Sequence, residues 1–437
     1  MGRTLFTLRA VESVRSAIRA GAKLPTIPAA ERRGTGHLPC ADFHLPTRSK
    51  SKAADRSVRP TRYNPGVWRK LESRADWQIA LAITAILRVF YSAVAAALSF
   101  FLHPGPALIH SNALTENLPA DGGLHRALLG IWERFDTLWF VHIAQHGYDQ
   151  PMAVIFYPLY PAAIRMVNWA LPATLAALVI STVAAFFVYW GLLRLAGPEL
   201  SASGRVRMLL LLSVWPTNFI LFAGYAESLT LALIVWAVVF ARQGQWWAAA
   251  LCGFLAGLGR PSGVLASIPL FVLAWRSRRA ASLPVLLAPL GTLGYWGWLH
   301  WSGRLSVVEA YRLYQGTPFA PPWESLALIL RMIAGGDALL AIKLGLVVLA
   351  AGLSLRREVR LEDKLFAAAV ILQMLMYTGR PLIGAARYVL IIYPAFVAWG
   401  AYAERRWNAR QFGFYAAAFG FLNLAWMAAF LNWSLVL

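Results

Sequence analysis

The sequence predicts an all-α integral membrane protein, a polytopic bundle of about eleven transmembrane helices with two more helices in the outer interface. Three observations carry that expectation. The 437-residue chain is 59% hydrophobic. Only 14% of it is charged, whereas a soluble globular protein carries roughly 25%. Apolar runs able to cross about 30 Å of hydrocarbon recur from Gln78 to the C-terminus.

Residues 1–77 stand apart as a basic tail rich in Arg, Ser, Ala and Pro, ahead of a membrane region over 78–437. The tail's apolar stretches are too short for a signal peptide. Its composition fits a disordered segment, with a short basic amphipathic helix at Val11–Ala20 as the alternative. The spans then fall over 79–102, 173–195, 208–222, 228–241, 247–258, 263–275, 283–301, 338–355, 365–377, 388–403 and 412–432. Arg88 sits in the middle of the first and needs a partner inside the bundle. Three basic clusters set the orientation: Arg276 with Arg278 and Arg279, Arg356 and Arg357 with Arg360, and Arg405 and Arg406 with Arg410. Placed in the cytoplasm, they also put the tail, Arg194, Arg205 and Arg207 inside. The formal charge of +21 is therefore a topology signal and not a nucleic-acid footprint. Cys40 and Cys252 offer neither a disulfide framework nor a metal-ligand spacing.

The alternation holds only if 152–171 stays out of the membrane interior. It carries Arg165 and two prolines, Pro158 and Pro161, and is expected to lie in the outer interface. The segment 130–147 has the same character. Ile131, Phe135, Leu138, Trp139, His142 and Ile143 share helical spacing, opposite Glu133, Arg134, Asp136 and Gln145. A second long external region runs from Ser302 to about Asp337 and includes Tyr311, Tyr314, Pro318 and Trp323.

Drawn this way, the ionisable groups of separate segments gather at one face. Asp136, His142, His146, Tyr148 and Tyr157 are external, and Glu227, Arg260, Arg380 and Arg387 fall at external span ends. Such a set suits glycosyl transfer from a lipid phosphate. A carboxylate takes the proton of an acceptor hydroxyl, and guanidinium groups stabilise the departing phosphate. Asp136 fits the first role, or the blander one of capping an interfacial helix. Arg260, Arg380 and Arg387 fit the second, or else reach out to headgroups. Glu227 either contacts substrate or pairs with an Arg of a neighbouring span. Trp139, Tyr148, Tyr157 and Tyr160 offer faces for a sugar or a polyprenyl chain, and equally serve as interface anchors. His142 and His146, candidates for substrate binding, are one helical turn apart without a third ligand of clear spacing; surface histidines are the plainer reading of the pair, and a divalent metal stays open.

Over Arg134–Tyr148 and Phe156–Arg165 the chain resembles the PIG-V-like mannosyltransferases, relatives of the enzyme that adds the second mannose to glycosylphosphatidylinositol precursors. The matching residues are Phe135, Asp136, Phe140, Ile143, Ala144, Gly147 and Tyr148, then Phe156, Tyr157, Pro158, Leu159, Tyr160, Pro161 and Arg165. Further matches are Pro216-Thr217 through Tyr225-Ala-Glu-Ser228, Gly259-Arg260-Pro-Ser-Gly263, and Arg387-Tyr388 leading to Pro394. The family tends to place a small or polar residue and a His soon after the first aromatic, whereas here Thr137-Leu138-Trp139 intervene before His142.

The resemblance implies a GT-C glycosyltransferase fold, a polyprenyl-phosphate-sugar donor, inversion at the anomeric carbon and Asp136 as catalytic base. It further implies a multi-pass protein of the plasma (inner) membrane, acting on its extracytoplasmic face upon a glycolipid or glycan acceptor. Two other functions compete: a transporter or flippase of lipid-linked saccharide, and a non-catalytic envelope scaffold.

Overall fold

The computed structural model describes residues 76–102, 123–197, 199–316 and 319–434. Nearly all of the tail over 1–77, the start of the first external loop, Cys40 and Pro318 lie outside them. Among the described residues the chain is all-helical, with seventeen α-helices, five 3₁₀ segments and no strand beyond one isolated bridge between Phe319 and Tyr377.

Among the described residues three helices are long and apolar enough to cross a membrane: α1 (Asp76–Ser99), α5 (Ala173–Ala196) and α17 (Ala409–Leu431). In α1 and α17 about a quarter of the most apolar window is packed inside the protein, and 56% in α5. Ile86, Val89, Phe414 and Phe421 turn outward. Water would make such surface costly, and a bilayer makes it favourable.

Every other expected span is built around a shorter helix. Four of them are interrupted, which corrects their reading as single rods. The 208–222 run becomes α6 (Ala202–Ser213), a turn at Pro216 and a 3₁₀ segment, Asn218–Phe222. The 263–275 run opens as 3₁₀ Pro261–Ala266 before α9 (Ser267–Ser277). The 283–301 run divides between 3₁₀ Ala280–Leu287 and α10 (Leu290–Trp301). The 388–403 run divides between α15 (Ala385–Val389) and α16 (Tyr393–Arg406). A proline lies at or beside each break, where its missing N–H and fixed φ stop the regular ladder. The uninterrupted ones are α7 (Glu227–Arg242), α8 (Trp246–Gly259), α13 (Ala338–Ser354) and α14 (Leu361–Met374). Arg88 finds a carbonyl in place of a charge. Its Nη1 donates to Phe222 O at 2.7 Å, and its other nitrogens bind Ser92 one turn on.

The segment 130–147 also differs from the single helix expected. A 3₁₀ turn, Gly130–Trp132, precedes α3 (Asp136–His146), and the chain reverses between them. Arg134 holds that reversal: Nε donates to Leu431 O at 2.9 Å and Nη1 to Gly130 O and Glu133 O, with the guanidinium over the Trp433 ring. Phe135 is forced to a φ of 46°, a conformation that bulky residues avoid. Its ring packs against Phe430 and Trp433. Consequently Asp136 opens α3, with its carboxylate at the positive end of the helix. The second segment folds as 3₁₀ Pro151–Ile155 and α4 (Leu159–Val167), which packs on α3 and α5.

Helix α7 orders the two ends of the bundle. Glu227 begins it and Arg242 completes it, about 22 Å away at the α-helical rise. The basic loops assemble at the Arg242 end, where Arg242, Arg356 and Arg405 line one cleft and Arg242, Arg194 and Arg360 another.

Candidate active site

At the Glu227 end, four of the charged residues singled out in the sequence meet. Arg387 Nη1 donates to Asp136 Oδ2 at 2.6 Å. Arg387 Nε lies 3.1 Å from Glu227 Oε1, and Arg260 Nη1 lies 2.6 Å from the same oxygen. The result is one chain, Asp136–Arg387–Glu227–Arg260. Each member comes from a different element. Asp136 opens α3 after the strained Phe135, and Glu227 opens α7 after Gly224-Tyr-Ala. Arg260 occupies the extended residue between α8 and its following 3₁₀ turn. Arg387 sits in the short α15, which opens on Gly384 with φ +70°, a conformation natural to glycine. A Cβ on Gly263 would collide with Ala256 O, so only glycine lets the Arg260 turn lie back on α8.

Access falls off along the chain. The Asp136 side chain is 26% exposed and the Glu227 side chain not at all. Both contacts to Glu227 Oε1 are close in distance yet misaligned as hydrogen bonds, and Oε2 has no hydrogen-bond partner. Burial works against the charges of Arg387 and Arg260. The carboxylates overcome it: Asp136 and Glu227 raise the Arg387 pKa well above the usual guanidinium value, and Glu227 chiefly raises that of Arg260. Both arginines are permanently charged.

Aromatic rings wall this chain. Arg387 lies over the Tyr225 ring at 5.4 Å, and Arg260 over Tyr388 at 5.2 Å. Tyr225 Oη accepts the Asp136 backbone N–H at 3.3 Å. Tyr388 and Tyr377 line one small pocket with Ser262, and Tyr377 packs against Tyr311 and Phe319. None of these five aromatics was singled out as a site residue. The available signal was adjacency, because Tyr225 lies two residues before Glu227 and Tyr388 directly follows Arg387.

None of the remaining predicted residues belongs to that chain, although Tyr160 lies within electrostatic reach of Glu227 and Tyr157 of Tyr377. Arg380 is exposed, and among the described residues its guanidinium makes no ion pair. His142 Nε2 contacts Asp149 Oδ1 at 2.7 Å and stacks near His146. Trp139 is buried and stacked on Phe156. The Tyr148 hydroxyl donates to Phe156 O, and Tyr160 is fully buried, donating to Ala177 O and bonded to Ser181. Tyr157 accepts from Trp296 Nε1, and burial pushes its pKa up to about 12, so it stays protonated near neutrality. These hydroxyls already serve packing between segments. No group of three or more His, Cys, Asp or Glu able to hold a metal ion occurs among the described residues.

No family model matches the chain, and no curated protein matches it.

Proposed function

We propose that the protein is an integral-membrane glycosyltransferase of GT-C type, with about eleven spans and its site on the extracytoplasmic face of the plasma membrane. It transfers a hexose, mannose by the resemblance at Arg134–Tyr148 and Phe156–Arg165, from a polyprenyl-phosphate donor to a glycolipid or glycan acceptor. The single observation that carries this is the Asp136–Arg387–Glu227–Arg260 chain, a half-open carboxylate beside two permanent cations. Separation of the basic loops from that chain along α7 supports the orientation.

In the reaction the acceptor oxygen forms a bond to the anomeric carbon as the bond to the phosphate oxygen breaks, with inversion. Asp136 receives the hydroxyl proton and becomes neutral. The donor phosphodiester, with one negative charge, leaves as a phosphomonoester with two. Arg387 and Arg260 are placed where that growing charge is stabilised.

Purified protein in detergent, given labelled polyprenyl-phosphate mannose and a lipid extract of the host membrane, should release polyprenyl phosphate and label a glycolipid. Unchanged transfer by Asp136→Asn would sink the assignment of the base.

One observation favours a second function. Arg260 and Arg387 both lie at helix interruptions, as the sites of transporters of lipid-linked saccharide would. Transfer in detergent, where no two compartments exist, decides against transport.

A further inference from the structure

The resting chain of charges leaves a deficit for its proposed substrate. Two carboxylates and two guanidinium groups sum to zero, and Arg387 divides its nitrogens between Asp136 at 2.6 Å and Glu227 at 3.1 Å. A donor phosphodiester adds a negative charge to a largely buried place, where an unmatched anion is costly. A carboxylate oxygen already accepting from a guanidinium is also less available to an acceptor hydroxyl, and Arg387 Nη1 occupies Asp136 Oδ2. Both difficulties have one remedy. Of the two carboxylates, Asp136 is the one with solvent access, whereas Glu227 is sealed and cannot touch a ligand. Of the two roles the sequence leaves open for Glu227, substrate contact and pairing with an arginine, the structure shows the pairing, so Glu227 acts from behind the arginines.

We propose that Arg387 is a shared guanidinium, neutralising Asp136 before the donor arrives and passing to the donor phosphate on binding, while Glu227 is a positioning residue that keeps Arg387 and Arg260 side by side. The proposal rests on the transfer reaction above and adds a condition to it: the base is unmasked by the donor. Phosphate binding removes the cation from Asp136, so the carboxylate oxygen is free to meet the acceptor hydroxyl when there is an anomeric carbon to attack. As the proton moves to Asp136 and the second negative charge appears on the phosphate, the guanidinium follows the charge. Without donor, Asp136 stays masked, which holds idle proton abstraction in check.

The test separates the two carboxylates by the sign of their effects. The full chain in detergent is titrated with farnesyl phosphate, with farnesol as the phosphate-free control. Asp136→Asn removes the competitor for Arg387, so farnesyl phosphate should bind about tenfold tighter, although transfer is lost. Glu227→Gln removes the positioner and should bind it about tenfold more weakly, with Glu227→Asp recovering part of the loss. Farnesol should bind all forms alike. Equal or weaker binding by Asp136→Asn in a preparation whose wild type transfers sugar overturns the masking and leaves the transferase intact. Absent binding and absent transfer in wild type remove both. If Asp136→Asn does not fold, Asp136→Ser takes its place; wild-type affinity in Glu227→Gln would by itself overturn the positioning role.

Discussion

The two ends of α7 carry networks of the same composition, two carboxylates with two arginines, and they differ in how completely the carboxylates are satisfied. At the Arg242 end, Asp363 accepts from Arg242 Nη2 at 2.6 Å and from the Tyr393 hydroxyl at 2.5 Å. Glu362 accepts from Arg276 at 2.7 Å, with Arg242 at 3.7 Å. At the Glu227 end, Glu227 makes only misaligned contacts, and Asp136 is partly open. A finished network joins helices. Under the proposed function the unfinished one receives the donor. The same residue types at opposite ends of one helix would then divide structure from chemistry, and α7 suits both by its polarity, with Glu227 at its positive end and Arg242 at its negative end.

Removing one carboxylate from each network gives the widest contrast. Asp136→Asn should lower the transfer rate about a thousandfold, within the range for loss of a general base, while its thermal midpoint in detergent changes little. A variant retaining a tenth of wild-type turnover would erase the functional side of the contrast. Asp363→Asn should do the reverse. It leaves Arg242 buried and poorly matched, for a loss of about 3–5 kcal/mol in stability, measured as a lowered unfolding midpoint. Turnover per folded molecule should persist. If Asp363→Asn instead stopped transfer at full stability, both ends would be functional.

The charged chain was legible in the sequence because ionisable groups at membrane depth are rare and must be matched. Glu227, Arg260 and Arg387 each stood at the external end of an expected span and Asp136 in the first external loop, so alternation of the spans placed all four on one face. The partner network was not legible. Glu362 and Asp363 resemble loop charges beside Arg356, Arg357 and Arg360, and nothing in their spacing shows that Tyr393 and Arg242 fold over them. Aromatics failed for another reason. Tyr225, Tyr388, Tyr148 and Tyr160 share one composition, and only tertiary packing distinguishes a ring under a guanidinium from one whose hydroxyl ties a loop to a helix. The helix breaks were half visible. Prolines mark them, yet hydropathy runs straight through Pro284 and Pro216.

Arg380 sharpens the contrast from outside either network. It is an exposed cation beyond the four-residue chain, near the segment that carries Tyr377. Arg380 follows Tyr377, which shares a pocket with Tyr388, by three residues, and under the proposed function an exposed cation there assists capture of the donor more than chemistry. Arg380→Ala should therefore raise the KM for donor about fivefold, roughly 1 kcal/mol, with kcat held. An unchanged KM would assign Arg380 to lipid headgroups alone.

The smallest effect belongs to His142 and Asp149, a pair on the same side as the candidate site but turned to solvent. Desolvation pushes the Asp149 carboxyl up, and the hydrogen bond and charge of His142, with lesser help from its own backbone and from His146, together hold it below its ordinary value. A carboxylate with a depressed folded-state pKa contributes stability above its unfolded pKa, and loses it as pH falls through the folded value. Asp149 is 46% exposed, so solvent screening limits the pair to about 0.5 kcal/mol. His142→Ala should lower the unfolding midpoint slightly near neutrality, and the difference should vanish below the carboxylate range. Transfer should change far less than in Asp136→Asn, because His142 is engaged with Asp149 and not with the Arg387 chain. A loss of transfer comparable to Asp136→Asn would move the site onto the exposed face of α3, and the boundary drawn between a satisfied and an unsatisfied network would no longer locate the chemistry.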